Sequence, residues 1–322
     1  MNNALYYKTK QFFFVLIKLS IVAGAFYFIY NKLVNNRALD FSVFIDFLTE
    51  NDVFSLKNTL FLLFLSFFNW FLEIIKWQKL VDTLKRISFL KALEQSLGAL
   101  TASLFTPNRI GEYGAKAIYF TGANRKKIVL LNLLGNITQM MATTIFGIIG
   151  LSFFITKYNI NIDYYKLGKI VLLFLLVLII IAFVIKNNTF TVKGFSIEKI
   201  KDYILTFPKK TLLLTLVLSI IRYLTFSFQF YVLLHIFKVD ISYLNAMVFI
   251  TSMYFLSSVI PSIFIFDVVI KGSIAIYLFA LIQINELTIL SITTIMWLLN
   301  FVLPSIFGSY FVLNFNLPKQ KD

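Results

Sequence analysis

Six apolar runs of span length recur along the chain, at about 12–30, 58–77, 128–156, 169–185, 211–236 and 286–313. A hydrocarbon core about 30 Å thick needs roughly 20 apolar residues in a helix, and strands of a soluble core are far shorter. No other feature restricts the fold as strongly. In lipid, each run must satisfy its own backbone N–H and C=O groups, so each is expected to be a helix. Composition agrees: 59% of the 322 residues are hydrophobic, 38 are Phe, and only 14% are charged, which leaves too little polar surface for a soluble domain of this length. The expected fold class is an all-α polytopic membrane protein, a single transmembrane domain over 1–322. The run at 12–30 follows Lys8 and Lys10. No small-residue cleavage site follows it, so it reads as a span and not as a signal peptide.

Two further apolar stretches, 93–121 and 243–282, are interrupted by Pro107 and Pro261. Each reads as a re-entrant hairpin, two half-helices that enter and leave on one side. Non-helical backbone at that depth is tolerated only where protein or a watery cavity surrounds it.

The formal net charge is +15. No nucleic-acid motif accompanies it, so the charge reads as basic loops that set orientation and touch anionic headgroups. With the N-terminus inside, 17 lysines and arginines fall on cytoplasmic segments and 7 on outer ones. That asymmetry predicts both termini in the cytoplasm. The first outer loop, roughly 31–57, carries Asp40, Asp46, Glu50 and Asp52 among Phe41, Phe44, Phe47 and Leu48. Its apolar spacing predicts a short amphipathic helix on the outer interface. Residues 186–210 read as the one sizeable cytoplasmic loop.

The two broken segments resemble each other. "SLFTPNRIGEYGAKA" places Glu112 and Lys116 after Pro107; "SSVIPSIFIFDVVIKGS" places Asp267 and Lys271 after Pro261. Each gives a proline, a short gap, a carboxylate, and a lysine four residues on. A full span precedes and follows each. This order predicts an inverted-topology repeat: 58–156 with hairpin 93–121, and 211–313 with hairpin 243–282. In such repeats the site lies near the midplane between broken helices.

Physical chemistry gives these residues two readings. A carboxylate and a lysine at i, i+4 share a helix face and offset each other's desolvation; such a pair is either a structural lock or part of a substrate path. Arg109 stands where the half-helix beginning near Asn108 presents bare N–H groups and a positive dipole end. Either an anion such as phosphate joins them, bound bidentately by the guanidinium, or Arg109 pairs with Glu112 and closes the tip. In the second span Glu73 pairs with Lys76 at i+3, or with Arg109 or Lys116 across the bundle. Arg222, midway along its span, needs a partner, and Asp267 is the expected one. The candidate substrate-binding set is Arg109, Glu112, Lys116, Asp267, Lys271, Arg222 and Glu73. Asn132, Asn136 and Gln139 form a polar stripe at i, i+4, i+7, expected to glue helices together. Gln229 and Asn300 are read the same way, and Gly135, Gly147 and Gly150 as close-packing positions.

"TPNRIGEYGAKAIYF" resembles the first signature of the flippase-like membrane domain family, the transmembrane region of lysylphosphatidylglycerol synthases and their stand-alone relatives. Members carry Pro, then Arg-hydrophobic-Gly-Glu, then a basic residue. "VIPSIFIFDVVIKGS" resembles a divergent copy of the second signature, with Ser262, Ile263 and Ile265 where the family has glycines. The resemblance implies lipid translocation. The chain ends at "NLPKQKD", so it implies translocation without lipid synthesis. The expected partner is a membrane phospholipid or a polyprenyl-phosphate lipid, in a bacterial inner membrane, with no nucleic acid. No cofactor or metal is expected, since there is no cysteine and His235 is the one histidine; no Walker motif supplies ATP hydrolysis. Two other classes stand beside it: an integral-membrane polyprenyl-phosphate-dependent transferase built on Asp40, Asp46, Glu50 and Asp52, and a secondary transporter of a small anion that uses the same residues as the translocase.

Overall fold

The computed structural model describes residues 15–24, 41–104, 109–122, 124–158, 205–259 and 267–317, with a few isolated positions beside them. Of 41–42 and 267–270 it describes the backbone only. The expected span at 169–185, Pro107, Pro261 and Asp40 lie outside the described residues, as does the Asp267 side chain.

Helix α1 covers Val15–Gly24 and α2 Phe41–Glu50. Then follow α3 (Leu56–Asp82), α4 (Phe89–Ser103), α5 (Gly111–Ala117) and α6 (Asn124–Lys157). After a two-residue β pair, 191–192 with 195–196, come α7 (Lys209–Ile236), α8 (Tyr243–Val259) and α9 (Asp267–Ala280). The chain closes with α10 (Glu286–Trp297), a π-turn (Leu298–Val302) and α11 (Leu303–Asn314). The fold is all-α and polytopic. Helices α3, α6, α7 and the continuous α10–α11 are long and apolar enough to cross a membrane, matching four of the six expected spans. Side-chain caps set several starts: Ser55, Ser88 and Asn285 accept from the N–H groups of Asn58, Lys91 and Leu287, satisfying donors a helix start leaves open.

The outer surface is apolar. Phe64, Phe67 and Phe71 of α3 and Leu213, Val217 and Leu224 of α7 are exposed, while Asn69, Glu73, Lys76, Ser219 and Gln229 on the same helices are buried. Apolar outside and polar inside is the arrangement lipid requires, because hydrocarbon cannot solvate a polar group.

Two packed clusters fix the directions of the long helices. Val81, Ala92, Ile128 and Phe207 come together, which collects the end of α3 and the starts of α4, α6 and α7. Val53, Leu62, Phe154, Phe237 and Ile289 come together in the other, collecting the start of α3, the ends of α6 and α7, and the start of α10. Helices α3 and α7 therefore run in opposite directions, and so do α6 and α10–α11. Helix α2 sits over the second cluster with Phe44 and Leu48 buried and Asp46 and Glu50 exposed, the amphipathic helix its sequence predicts.

The contacts are reciprocal between the two halves of the chain. Helix α3 packs on α7; α4 packs on α11, and α8 on α6; α5 packs on α6, and α9 on α10. The reciprocity reaches single residues. A Cβ added at Gly147 would meet Phe255 at 2.3 Å, and one at Gly308 would meet the Leu97 carbonyl at 2.2 Å and Thr101 at 2.3 Å. Thr138 of α6 hydrogen-bonds Ser219 of α7 at 3.1 Å, and Ser66 of α3 donates to the Leu299 carbonyl in the π-turn. A step of 153 residues carries Ser66 onto Ser219 and Asn69 onto Arg222, and Asn69 and Arg222 bond to each other at 3.0 Å. A step of 161 residues carries Thr138 onto Leu299 and Gly147 onto Gly308.

Candidate functional site

Helix α3 presents Asn69, Glu73, Lys76 and Trp77 on one buried stripe, the i, i+4, i+7, i+8 spacing of a single helix face. Glu73 accepts from Lys76 at 2.7 Å and from Arg222 of α7 at 2.6 Å. Arg222 also donates through Nε to Asn69 Oδ1 at 3.0 Å and approaches Gln139 Oε1 at 3.4 Å. Its guanidinium lies 5.9 Å from the ring of Trp70, within range of a cation–π attraction.

A second cluster forms on α5. Glu112 accepts from Arg109 at 2.8 Å through Oε2 and from Lys116 at 2.7 Å through Oε1, so each carboxylate oxygen holds one cation. Lys116 also donates to Asn132 Oδ1 at 2.8 Å and lies 4.1 Å from the Trp77 ring; that indole in turn donates to Gln95 Oε1 at 2.9 Å. Thr106 organises the tip. Its hydroxyl accepts from the Gly111 N–H and donates to the Ser103 carbonyl. Arg109 has φ +55, a left-handed conformation that costs a non-glycine residue about 1–2 kcal/mol. Its N–H donates to Thr106 O at 3.1 Å, and its guanidinium lies 5.8 Å from the Phe301 ring. The Nε of Arg109 is buried with no hydrogen-bond partner.

The clusters meet through α6. Lys76 reaches the Gly135 carbonyl at 3.5 Å, one turn from Asn132, and Lys116 is within electrostatic reach of Glu73. Among the described residues, four cations (Lys76, Arg109, Lys116, Arg222) surround two carboxylates (Glu73, Glu112), a formal excess of two positive charges. The members are not equally sealed. The side chains of Lys76 and Lys116 are 3% and 2% exposed, whereas those of Arg109 and Arg222 are 32% and 19% exposed. The lysines hold the carboxylates inside the protein, and the two arginines stand at the accessible ends.

Of the sequence-predicted residues, Arg109, Glu112, Lys116, Glu73 and Arg222 thus form one buried network. Arg222 pairs with Glu73, because α3 and α7 pack directly on each other; its expected partner, the Asp267 side chain, lies outside the described residues. Glu73 takes Lys76, as expected, and its partner across the bundle is Arg222 and not Arg109 or Lys116. Lys271 is half-buried on α9; its pairing with Asp267 lies outside the described side chains. The α6 stripe carries more than glue: Asn132 and Gln139 reach the cations, while Asn136 donates to the Tyr113 hydroxyl at 2.9 Å. Gly135, Gly147 and Gly150 do mark close approaches, to Leu80, Phe255 and Thr251. His235 bonds Tyr231 at 2.7 Å near the end of α7, and no group of three His, Asp or Glu side chains that could hold a metal occurs among the described residues.

Sequence reasoning missed the π-turn. Leu303 N–H donates to Leu298 O, five residues back, inside what reads as one unbroken span. Asn300 within it accepts from Asn69 Nδ2 and donates to Gln229 Oε1, both at 2.9 Å. The available signal was Pro304, which removes an N–H four residues after Asn300.

A sequence model of the lysylphosphatidylglycerol synthase TM region matches residues 15–308. No curated protein and no solved structure matches the chain. With the family match spanning nearly the whole helical assembly and the four long apolar helices within or across it, the chain is a multi-pass membrane protein that belongs to the family of the lysylphosphatidylglycerol synthase transmembrane region.

Proposed function

We propose that this chain is a lipid translocase of the flippase or scramblase type, moving an anionic or aminoacylated lipid headgroup across a bacterial inner membrane without ATP hydrolysis. One observation carries the reading: a buried network with two more cations than carboxylates, whose accessible ends are both arginines. Burying uncompensated charge is costly, and a phosphate diester, which carries one negative charge, would offset half of that excess on reaching an arginine. Arginine suits this role because its planar fork binds phosphate oxygens bidentately.

The surrounding architecture supports a path and not a closed store. Helix α4 has 15 residues and rises about 22 Å, short of the roughly 30 Å of hydrocarbon; α5 is shorter still. In this reading α4–α5 and α8–α9 are re-entrant hairpins from opposite sides, and the reciprocal contacts of the two halves support the inverted repeat over 58–156 and 211–313. Charge supports the orientation with both termini cytoplasmic. Lys85, Arg86, Lys91, Arg125, Lys126, Lys127, Lys209 and Lys210, against Asp82 and Glu94, belong to the end that Phe207 and Val81 mark; Asp46, Glu50, Asp52, Asp240 and Glu286, against Lys57, Lys157 and Lys238, belong to the other. Basic segments remain on the cytoplasmic side.

The test is lipid movement in proteoliposomes holding the purified protein. Headgroup-labelled anionic lipid should cross measurably faster than in protein-free vesicles, and faster than a zwitterionic analogue. Equal rates with and without protein would exclude translocation. Movement of free phosphate, with none of lipid, would instead favour a secondary anion transporter.

A further inference from the structure

We propose that the π-turn at Leu298–Val302 is a positioning element for the anion path, and that Asn300 and Pro304 set how strongly the path prefers an anionic headgroup. The inference rests on the reading that Arg109 and Arg222 receive that headgroup. It concerns residues that make no contact with the headgroup themselves.

The argument starts from backbone accounting. A bond from Leu303 N–H to Leu298 O passes over the next two carbonyls. In an α-helix Asn300 O would accept from residue 304, which is a proline without an N–H. Both passed-over carbonyls are satisfied from α3, one turn apart: Ser66 donates to Leu299 O, and Trp70 Nε1 donates to Asn300 O at 3.0 Å. An unpaired buried carbonyl would cost free energy, so α3 and the turn define each other. π-Turns inside α-helices occur frequently at functional sites.

The side chain of Asn300 then fixes an ordered relay. Arg222 Nε donates to Asn69 Oδ1. Asn69 Nδ2 donates to Asn300 Oδ1. Asn300 Nδ2 donates to Gln229 Oε1 and to Met296 O. Gln229 Nε2 donates to the Leu62 carbonyl at 3.0 Å. An amide offers an acceptor at one end and donors at the other, so each orientation dictates the next. With Asn300 accepting, Asn69 must turn its oxygen to Arg222. The turn touches both arginines through neighbouring residues, since Phe301 lies beneath the Arg109 guanidinium and Trp70, anchored to Asn300 O, lies beneath that of Arg222. One local departure from α geometry thereby sets the facing of both accessible cations.

Native mass spectrometry of the full chain, equilibrated with equal amounts of phosphatidylglycerol and phosphatidylcholine, reads the preference directly. Wild type should retain phosphatidylglycerol preferentially. Asn300→Leu and Pro304→Ala should lower the ratio about threefold to tenfold, the scale of one hydrogen bond between buried groups. Trp70→Phe keeps a ring beneath Arg222 but removes the donor to Asn300 O, and should lower the ratio in the same direction; it decides the matter if either other variant fails to fold. Arg109→Gln and Arg222→Gln are the reference arms. If they abolish the preference while Asn300→Leu, Pro304→Ala and Trp70→Phe keep the wild-type ratio, the turn is merely structural and the inference is wrong. If the arginine variants themselves keep the wild-type ratio, the underlying reading of the site fails instead.

Discussion

Arg222 of α7 donates to Glu73 of α3 at 2.6 Å, although 149 residues separate them. The pair joins the two halves of the chain at a buried junction where Glu73 also holds Lys76. Removing the carboxylate and removing the guanidinium are therefore unequal events. Glu73→Gln leaves two cations without their counter-charge and should cost about 3–5 kcal/mol, the usual scale for breaking a buried pair. Arg222→Gln leaves Glu73 still paired with Lys76 and should cost less. Thermal unfolding in detergent should rank wild type above Arg222→Gln and both above Glu73→Gln; the reverse order of the two variants would mean that Lys76 does not hold Glu73.

Lys116 and Arg109 share Glu112 but differ in exposure, 2% against 32% of the side chain. Lys116→Met should act on stability, because the ammonium is enclosed by Glu112, Asn132 and the Trp77 ring. Arg109→Gln should cost less, since its guanidinium is partly exposed and Glu112 keeps Lys116 as a partner, while reducing lipid movement. Measuring unfolding and proteoliposome translocation on both variants separates the two roles. Loss of stability in Arg109→Gln as large as in Lys116→Met would contradict the division.

The reciprocal glycines give a prediction independent of charge. Gly308→Ala would place a methyl 2.2 Å from the Leu97 carbonyl, and Gly147→Ala one 2.3 Å from Phe255 Cβ. Both should destabilise by about 1–3 kcal/mol, the range for overpacking. Gly114→Ala meets nothing within 4 Å, and helix propensity alone predicts a gain of up to about 1 kcal/mol. Detergent melting curves check all three, and a stabilised Gly308→Ala would show that α4 and α11 are not in close contact.

The sequence carried the architecture because lipid enforces it. Four of the six apolar runs return as long helices at nearly the expected bounds, and α2 shows the amphipathic pattern read from Phe44 and Leu48. Local pairs were legible for the same reason: Glu112 with Lys116, Arg109 with Glu112 and Glu73 with Lys76 are i, i+4 or i, i+3 neighbours, fixed by helix geometry alone. Long-range partners were not legible. Nothing within α7 reveals that Arg222 faces Glu73, because that follows from which helices pack. The π-turn stayed hidden because an apolar run containing Pro304 still reads as one span, and the departure from α geometry becomes evident only once Ser66 and Trp70 are seen satisfying its carbonyls.

The most direct test of the central claim is the rate at which labelled anionic lipid crosses proteoliposome membranes holding wild type, Arg109→Gln, Arg222→Gln and the double variant, each verified as folded. If the two arginines receive the headgroup, both single variants move lipid more slowly than wild type, and the double variant falls to the rate of protein-free vesicles. A double variant that moves anionic lipid at the wild-type rate would contradict the account.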